Sequence, residues 1–166
     1  MAYTASKVNR DEAEATAGRV LLVDDQPELR RLMRRGLIKA GYVVVEAWNG
    51  QVAVELAQQL RFDVVISDVH MPDMSGVELL EALQELDPDL PVVLTSGSSG
   101  GAVALQTARL SAFAYLEKPV PLETIRSTAH SAVELRRARG AARDRFEPHA
   151  SVERLRIPPP PDDDVG

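Results

Sequence analysis

The chain of 166 residues contains no cysteine, which excludes disulfide frameworks, thiolate nucleophiles and cysteine-built zinc sites. Aromatic residues are scarce, at 4%, and no apolar run approaches the roughly 20 residues of a membrane span. The stretch from Met1 to Arg19 has no apolar core, so it does not read as a secretory signal. Positive charge is in the minority as well. A net charge of −6 weighs against a protein whose main task is gripping nucleic acid. What is present is ordinary globular material, 45% hydrophobic and 27% charged, enough to bury about two thirds of the unfolded surface. The expectation is a small cytoplasmic domain with no membrane segment and no direct nucleic-acid contact.

Composition changes at both ends. Residues 1–18 hold only Met1, Tyr3 and Val8 as large apolar groups and read as a flexible arm. Residues 140–166 end in Pro158-Pro159-Pro160-Pro161 and Asp162-Asp163-Asp164. Four consecutive prolines continue neither a helix nor a sheet ladder, so this tail reads as disordered. The domain is expected over residues 19–139.

Within that span strand and helix signals alternate. Aliphatic runs stand at Val20–Val23, Val43–Val45, Val64–Ile66, Val92–Leu94 and, less strongly, Ala112–Leu116. Most are continuous, as expected of strands covered on both faces. Leu29, Leu32, Met33, Gly36, Leu37 and Ala40 form a helical stripe that starts near Pro27 and stops at Gly41. Val52, Leu56 and Leu60 sketch a second helix, and Val77, Leu80, Leu83 and Leu86 a third. Ala102, Val103, Leu105, Ala108 and Leu110 give a weak fourth. Leu122, Ile125, Ala129 and Val133 mark a last helix beginning near Pro121. Five βα units without hairpin turns predict an α/β fold, a doubly wound five-stranded parallel sheet of flavodoxin-like (βα)5 type. Ligands of such sheets bind at the carboxyl ends of the strands.

Those strand ends carry polar groups. The first run ends in Asp24-Asp25, the third in Asp68, the fourth in Thr95-Ser96 and the fifth in Glu117-Lys118-Pro119. A single aspartate at a strand end is usually a cap. Three carboxylates with a lysine on one rim are not explained that way. Carboxylates about 5 Å apart repel by roughly 3 kcal/mol at an effective dielectric near 20, so the cluster needs a cation. All-oxygen donors with room for water suit Mg2+.

The segments Val20-Leu-Leu-Val-Asp-Asp25, Val64-Val-Ile-Ser-Asp-Val-His-Met-Pro72 and Tyr115-Leu-Glu-Lys-Pro119 resemble the receiver domain of two-component response regulators, of the single-domain, CheY-like type. The spacings agree: 43 residues from Asp25 to Asp68, 28 on to Ser96 and 22 on to Lys118. The resemblance implies that Asp68 is the phosphoacceptor, taking a phosphoryl group from a histidine kinase, a histidine phosphotransfer protein or a small phosphodonor. It implies Mg2+ held by Asp25 and Asp68, by Asp24 through water, and by the backbone carbonyl of His70. Lys118 would pair with a phosphoryl oxygen. Ser96, rather than its neighbour Thr95, would hydrogen-bond the phosphoryl group, because it keeps the family spacing. Tyr115 would be the switch aromatic, altering the surface of the fourth helix, fifth strand and fifth helix. His70 and Ser98 fall at positions that tune the phosphoryl lifetime.

Arg30, Arg31, Arg34 and Arg35 line one face of the first helix and read as a solvated face or a docking face for the kinase. Only some 26 residues follow Gly140, too few for a DNA-binding effector. The expectation is therefore a stand-alone receiver that signals to a downstream protein, with a phosphorylation-dependent homodimer resting on the resemblance alone. A fragment of a larger regulator or hybrid kinase is the alternative within signalling. A Mg2+-dependent phosphohydrolase is the alternative of another class, but His70 stands where its general acid would be needed.

Overall fold

A computed structural model describes residues 17–97 and 111–143. The aliphatic runs become five strands: β1 (Gly18–Val23), β2 (Tyr42–Ala47), β3 (Val64–Asp68), β4 (Val92–Ser96) and β5 (Ala114–Glu117). Four helices lie among the described residues: α1 (Pro27–Lys39), α2 (Gly50–Gln59), α3 (Gly76–Leu86) and α4 (Leu122–Arg143). All strand pairs are parallel, in the order β2-β1-β3-β4-β5. This is the doubly wound five-stranded parallel sheet expected from the sequence. The expected fourth helix at 102–110 and Ser98 lie outside the described residues, as do residues 1–16 and 144–166. None of the described helices is long and apolar enough to cross a membrane.

Continuous apolar strands are explained by two separate cores. Successive side chains of a strand point to opposite faces. Leu21, Val23, Val65, Val92 and Leu94 accordingly pack with α2 and α3 on one face. Val20, Leu22, Val64, Ile66 and Val93 pack with α1 and α4 on the other.

Helix ends follow local chemistry. Pro27 occupies the first turn of α1, where its missing N–H costs no bond. Gly41 follows the helix with φ of 91°, a left-handed conformation that glycine adopts without strain. The Asn49 side chain caps α2 by accepting from Val52 N at 2.8 Å. Ser75 and Glu78 cap α3 reciprocally, at 3.2 and 2.8 Å. The apolar stripe of α1 is narrower than expected. Met33, Gly36 and Leu37 are buried, whereas Leu32 is 52% exposed and Ala40 is exposed too. Met33, Gly36 and Leu37, with half-buried Leu29 beside them, fill the contact with the sheet and α4. The last helix runs to Arg143, into the segment expected to be tail.

Candidate functional site

The sheet order places β1 between β2 and β3, so the connection from β1 to β2 runs to one side, the next crosses back to β3 on the other, and a crevice opens at the carboxyl end of β1. Asp24 sits there, fully buried. Its N–H donates to Ala47 O at 3.2 Å, extending the β1–β2 ladder by one bond. Its Oδ1 accepts from Gln26 N at 2.8 Å. Asp68 closes β3 and is 5% exposed, with Oδ1 accepting from His70 N at 3.2 Å.

The chain leaves Asp68 through a tight loop. Val69 N donates to Thr95 O at 2.9 Å and Gly76 N donates to Val69 O at 2.8 Å, so the loop folds back on the strand it left. A Cβ on Gly76 would lie 2.3 Å from the Asp68 carbonyl oxygen. Only glycine permits this approach.

Lys118 reaches the acids from the far side. Its N–H donates to Ser96 O at 2.7 Å, which anchors the residue at the end of β4. Its Nζ lies 3.4 Å from Asp24 Oδ2 and 3.2 Å from Asp68 Oδ2. The Lys118–Pro119 peptide is cis. Carboxylate oxygens of Asp24, Asp25 and Asp68 all lie within 4.8 Å of one another. At that distance each pair repels by about 3 kcal/mol at an effective dielectric of 20. Three carboxylates against one ammonium leave two negative charges, which a single divalent cation neutralises. The donors are all hard oxygens, as Mg2+ or Ca2+ prefers. Burial holds the Asp24 carboxyl above its ordinary value, an effect the Gln26 N–H and the Lys118 ammonium partly offset.

The structure separates the two hydroxyls at the end of β4. Thr95 faces α1 and α4, and its Oγ1 lies 3.4 Å from Ser67 O. It lines a cavity of about 470 Å³ together with Leu29, Leu32, Met33, Val120 and Lys118. Ser96, fully buried, points to the opposite face by strand alternation. Tyr115, half-buried, packs on that same face with Leu94, its register partner across the β4–β5 ladder. Ser96 is thus a diagonal neighbour of Tyr115, whereas Thr95 is not. His70 is exposed.

One basic residue departs from its expected place. Arg31 and Arg35 are exposed on α1, but Arg30 turns inward. Its Nη1 donates to Asp24 O at 2.8 Å, and its Nε lies 3.3 Å from Glu46 Oε1 on β2. Helical periodicity assigns Arg30 to the polar face and carries no signal for this contact. The five-residue interval from Asp25 to Arg30 is what brings it within reach.

Fold and crevice together define a class: doubly wound α/β domains with an acidic pocket, compatible with a divalent cation, at the carboxyl rim. The sequence profile described as "Response regulator receiver domain" matches residues 20–130, and the chain belongs to that family. It is 40% identical over 119 residues to the C4-dicarboxylate transport transcriptional regulatory protein DctD of Pseudomonas aeruginosa, covering 71% of this chain and 26% of that protein. It is 33% identical over 102 residues to the chemotaxis protein CheY of Thermotoga maritima, covering 61% of this chain and 85% of that protein. The chain therefore spans about a quarter of the first relative and most of the second. Among solved structures, chemotaxis protein CheY4 of Vibrio cholerae superposes with a TM-score of 0.65 at 33% identity, covering 69% of this chain and 97% of that one. Receiver domains of this family interact with kinases or phosphotransfer proteins in signalling.

Proposed function

We propose that Asp68 accepts a phosphoryl group from the phosphohistidine of a histidine kinase or phosphotransfer protein, in a Mg2+-dependent reaction. The observation that carries this reading is the convergence of Asp24, Asp25 and Asp68 with Lys118, whose Nζ spans Asp24 and Asp68. A carboxylate oxygen of Asp68 attacks phosphorus, the P–N bond to the donor imidazole breaks, and its electron pair stays on the imidazole nitrogen. Asp25, Asp68, the His70 carbonyl and, through water, Asp24 would hold Mg2+, which would supply charge neutralisation at the phosphoryl oxygens. Lys118 pairs with one phosphoryl oxygen and loses its contact with Asp68 in doing so. Ser96 then donates to another and draws its loop inward, and Tyr115 on the same face responds. Thr95, facing the other way, takes no part in this.

The product is a switch, not a catalyst of multiple turnover beyond its own phosphorylation and dephosphorylation. His70 and Ser98 set the lifetime of the acyl phosphate. The exposed Leu32 and the cavity beside it suit docking of the kinase on α1. The surface of β5 and α4 is the one offered to a downstream protein or a second copy. A cytoplasmic location fits these partners.

The test is incubation with Mg2+ and acetyl phosphate, followed by mass spectrometry. One acid-stable but base-labile phosphoryl adduct that disappears in Asp68→Asn supports the reading. An adduct retained in Asp68→Asn, or rapid multiple turnover of phosphate esters as in a phosphohydrolase, overturns it. Light scattering with and without phosphorylation tests the dimer, which an unchanged monomer mass removes.

A further inference from the structure

The backbone of Asp24, at the end of β1, is held at both its N–H and its carbonyl. The N–H donates to Ala47 O of β2 at 3.2 Å. Arg30 Nη1 donates to the Asp24 carbonyl at 2.8 Å. A guanidinium donor makes this a charge-assisted bond, stronger than a neutral one. The Arg30 side chain is only 12% exposed. Its head is held in turn by Glu46, whose Oε1 lies 3.3 Å from Arg30 Nε. That contact is at ion-pair distance without hydrogen-bond alignment, since Nε is buried with no hydrogen-bond partner among the described residues. The second Glu46 oxygen lies 3.3 Å from Nε of Arg34, which is 42% exposed.

We infer that Arg30 is a positioning residue of the acidic site. The Asp24 carbonyl belongs to the planar peptide that carries Asp25. Fixing its oxygen fixes the direction in which the chain leaves β1, and with it where both carboxylates stand. Glu46 is the brace that keeps the guanidinium on that carbonyl. Arg30 therefore ties α1 and β2 to the acid pair rather than serving as one more surface charge. The inference rests on the reading of Asp24, Asp25 and Asp68 as the Mg2+ site.

Charge and position give opposite signs, and that makes the test decisive. If Arg30 acted only as a nearby positive charge, removing it would tighten Mg2+ binding. If it positions the acids, removing it weakens binding by about tenfold, as for other groups that orient metal ligands. Calorimetric Mg2+ titrations of the full chain compare wild type, Arg30→Met and Arg34→Met. The expected result is a loss of about tenfold for Arg30→Met, with Arg34→Met within about twofold of wild type because it leaves the carbonyl bond intact. Unchanged or tighter binding in Arg30→Met overturns the inference. Wild-type protein that binds no Mg2+ overturns the underlying site instead, so the two failures are distinct. Should Arg30→Met not fold, Arg30→Lys keeps the positive charge but loses the guanidinium that spans the Asp24 carbonyl and Glu46. It is expected to weaken Mg2+ binding in the same direction, and unchanged affinity there counts against the inference equally.

Discussion

Asp24 illustrates what a single buried carboxylate costs and what it permits. Burial raises its proton affinity in the folded chain, so between its unfolded value, near 3.8, and its higher folded value the native state binds more protons. Its contribution to stability is therefore fully present below the lower value and is lost as pH rises through the upper one. Metal-free Asp24→Asn should accordingly melt a few degrees above wild type at pH 7, with the gap closing toward pH 4, by calorimetry in EDTA. A variant that is less stable at pH 7 would show that Lys118 more than compensates the burial. The sign reverses for function, because protons compete with the cation and Mg2+ affinity should fall as the solution is acidified. At this scale the sequence was readable where a residue's place is set by its strand. Asp24, Asp25, Asp68 and Lys118 all follow apolar runs, and parallel strands bring such positions to one rim. Ser96 and Thr95 are adjacent in the sequence, and alternation in β4 places them on opposite faces of the sheet. Arg30 was not readable, because helical periodicity places it on the polar face while its long side chain reaches back to a carbonyl.

At the scale of elements, the loop from β3 to α3 shows how backbone approach governs the site. Gly76→Ala places a Cβ against the Asp68 carbonyl and forces the strand end or the helix start to move. We expect a loss of about 2 kcal/mol or more in urea denaturation, together with slower phosphorylation by acetyl phosphate. Unchanged stability would mean that the loop yields freely. A second link joins the end of α3 to α4. Arg136 donates from both terminal nitrogens to the Asp87 carboxylate, one of them at 3.0 Å, and its side chain is 13% exposed. This pair straps the two helical layers across the amino-terminal rim of the sheet. Between the values for exposed and buried pairs, Arg136→Ala should cost about 1–2 kcal/mol by the same measurement, with phosphorylation unaffected. Helix starts were partly written in the sequence. Pro27 marks the first turn of α1, whereas the reciprocal cap of Ser75 and Glu78 came to light only in the structure. The exposure of Leu32 was not legible either, because periodicity alone does not tell how wide a stripe its neighbours can cover.

For the whole molecule, the acidic rim makes stability depend on the cation. Any ligand that binds only the folded state stabilises it by mass action, by about 2.7 kcal/mol at a hundred times its dissociation constant. Saturating Mg2+ should raise the melting temperature of wild type by several degrees and leave Asp25→Asn nearly unchanged. An equal rise in both would assign the effect to nonspecific screening. The layered architecture was evident from the alternation of aliphatic runs and helical stripes. The order of the strands was not, since periodicity does not say on which side of β1 each later strand pairs.

Parallel strands share a direction, and the helices that connect them run the other way. The described chain enters at Ala17 beside Gly41, at the start of β1, and α4 carries Arg136 toward Asp87, ahead of β4. Both ends of the described chain therefore emerge on the side away from Asp68. A tether or fluorophore attached at Ala17 or near the end of α4 sits at the edge opposite Asp68, so the domain can be held there while a kinase approaches the acidic rim unobstructed.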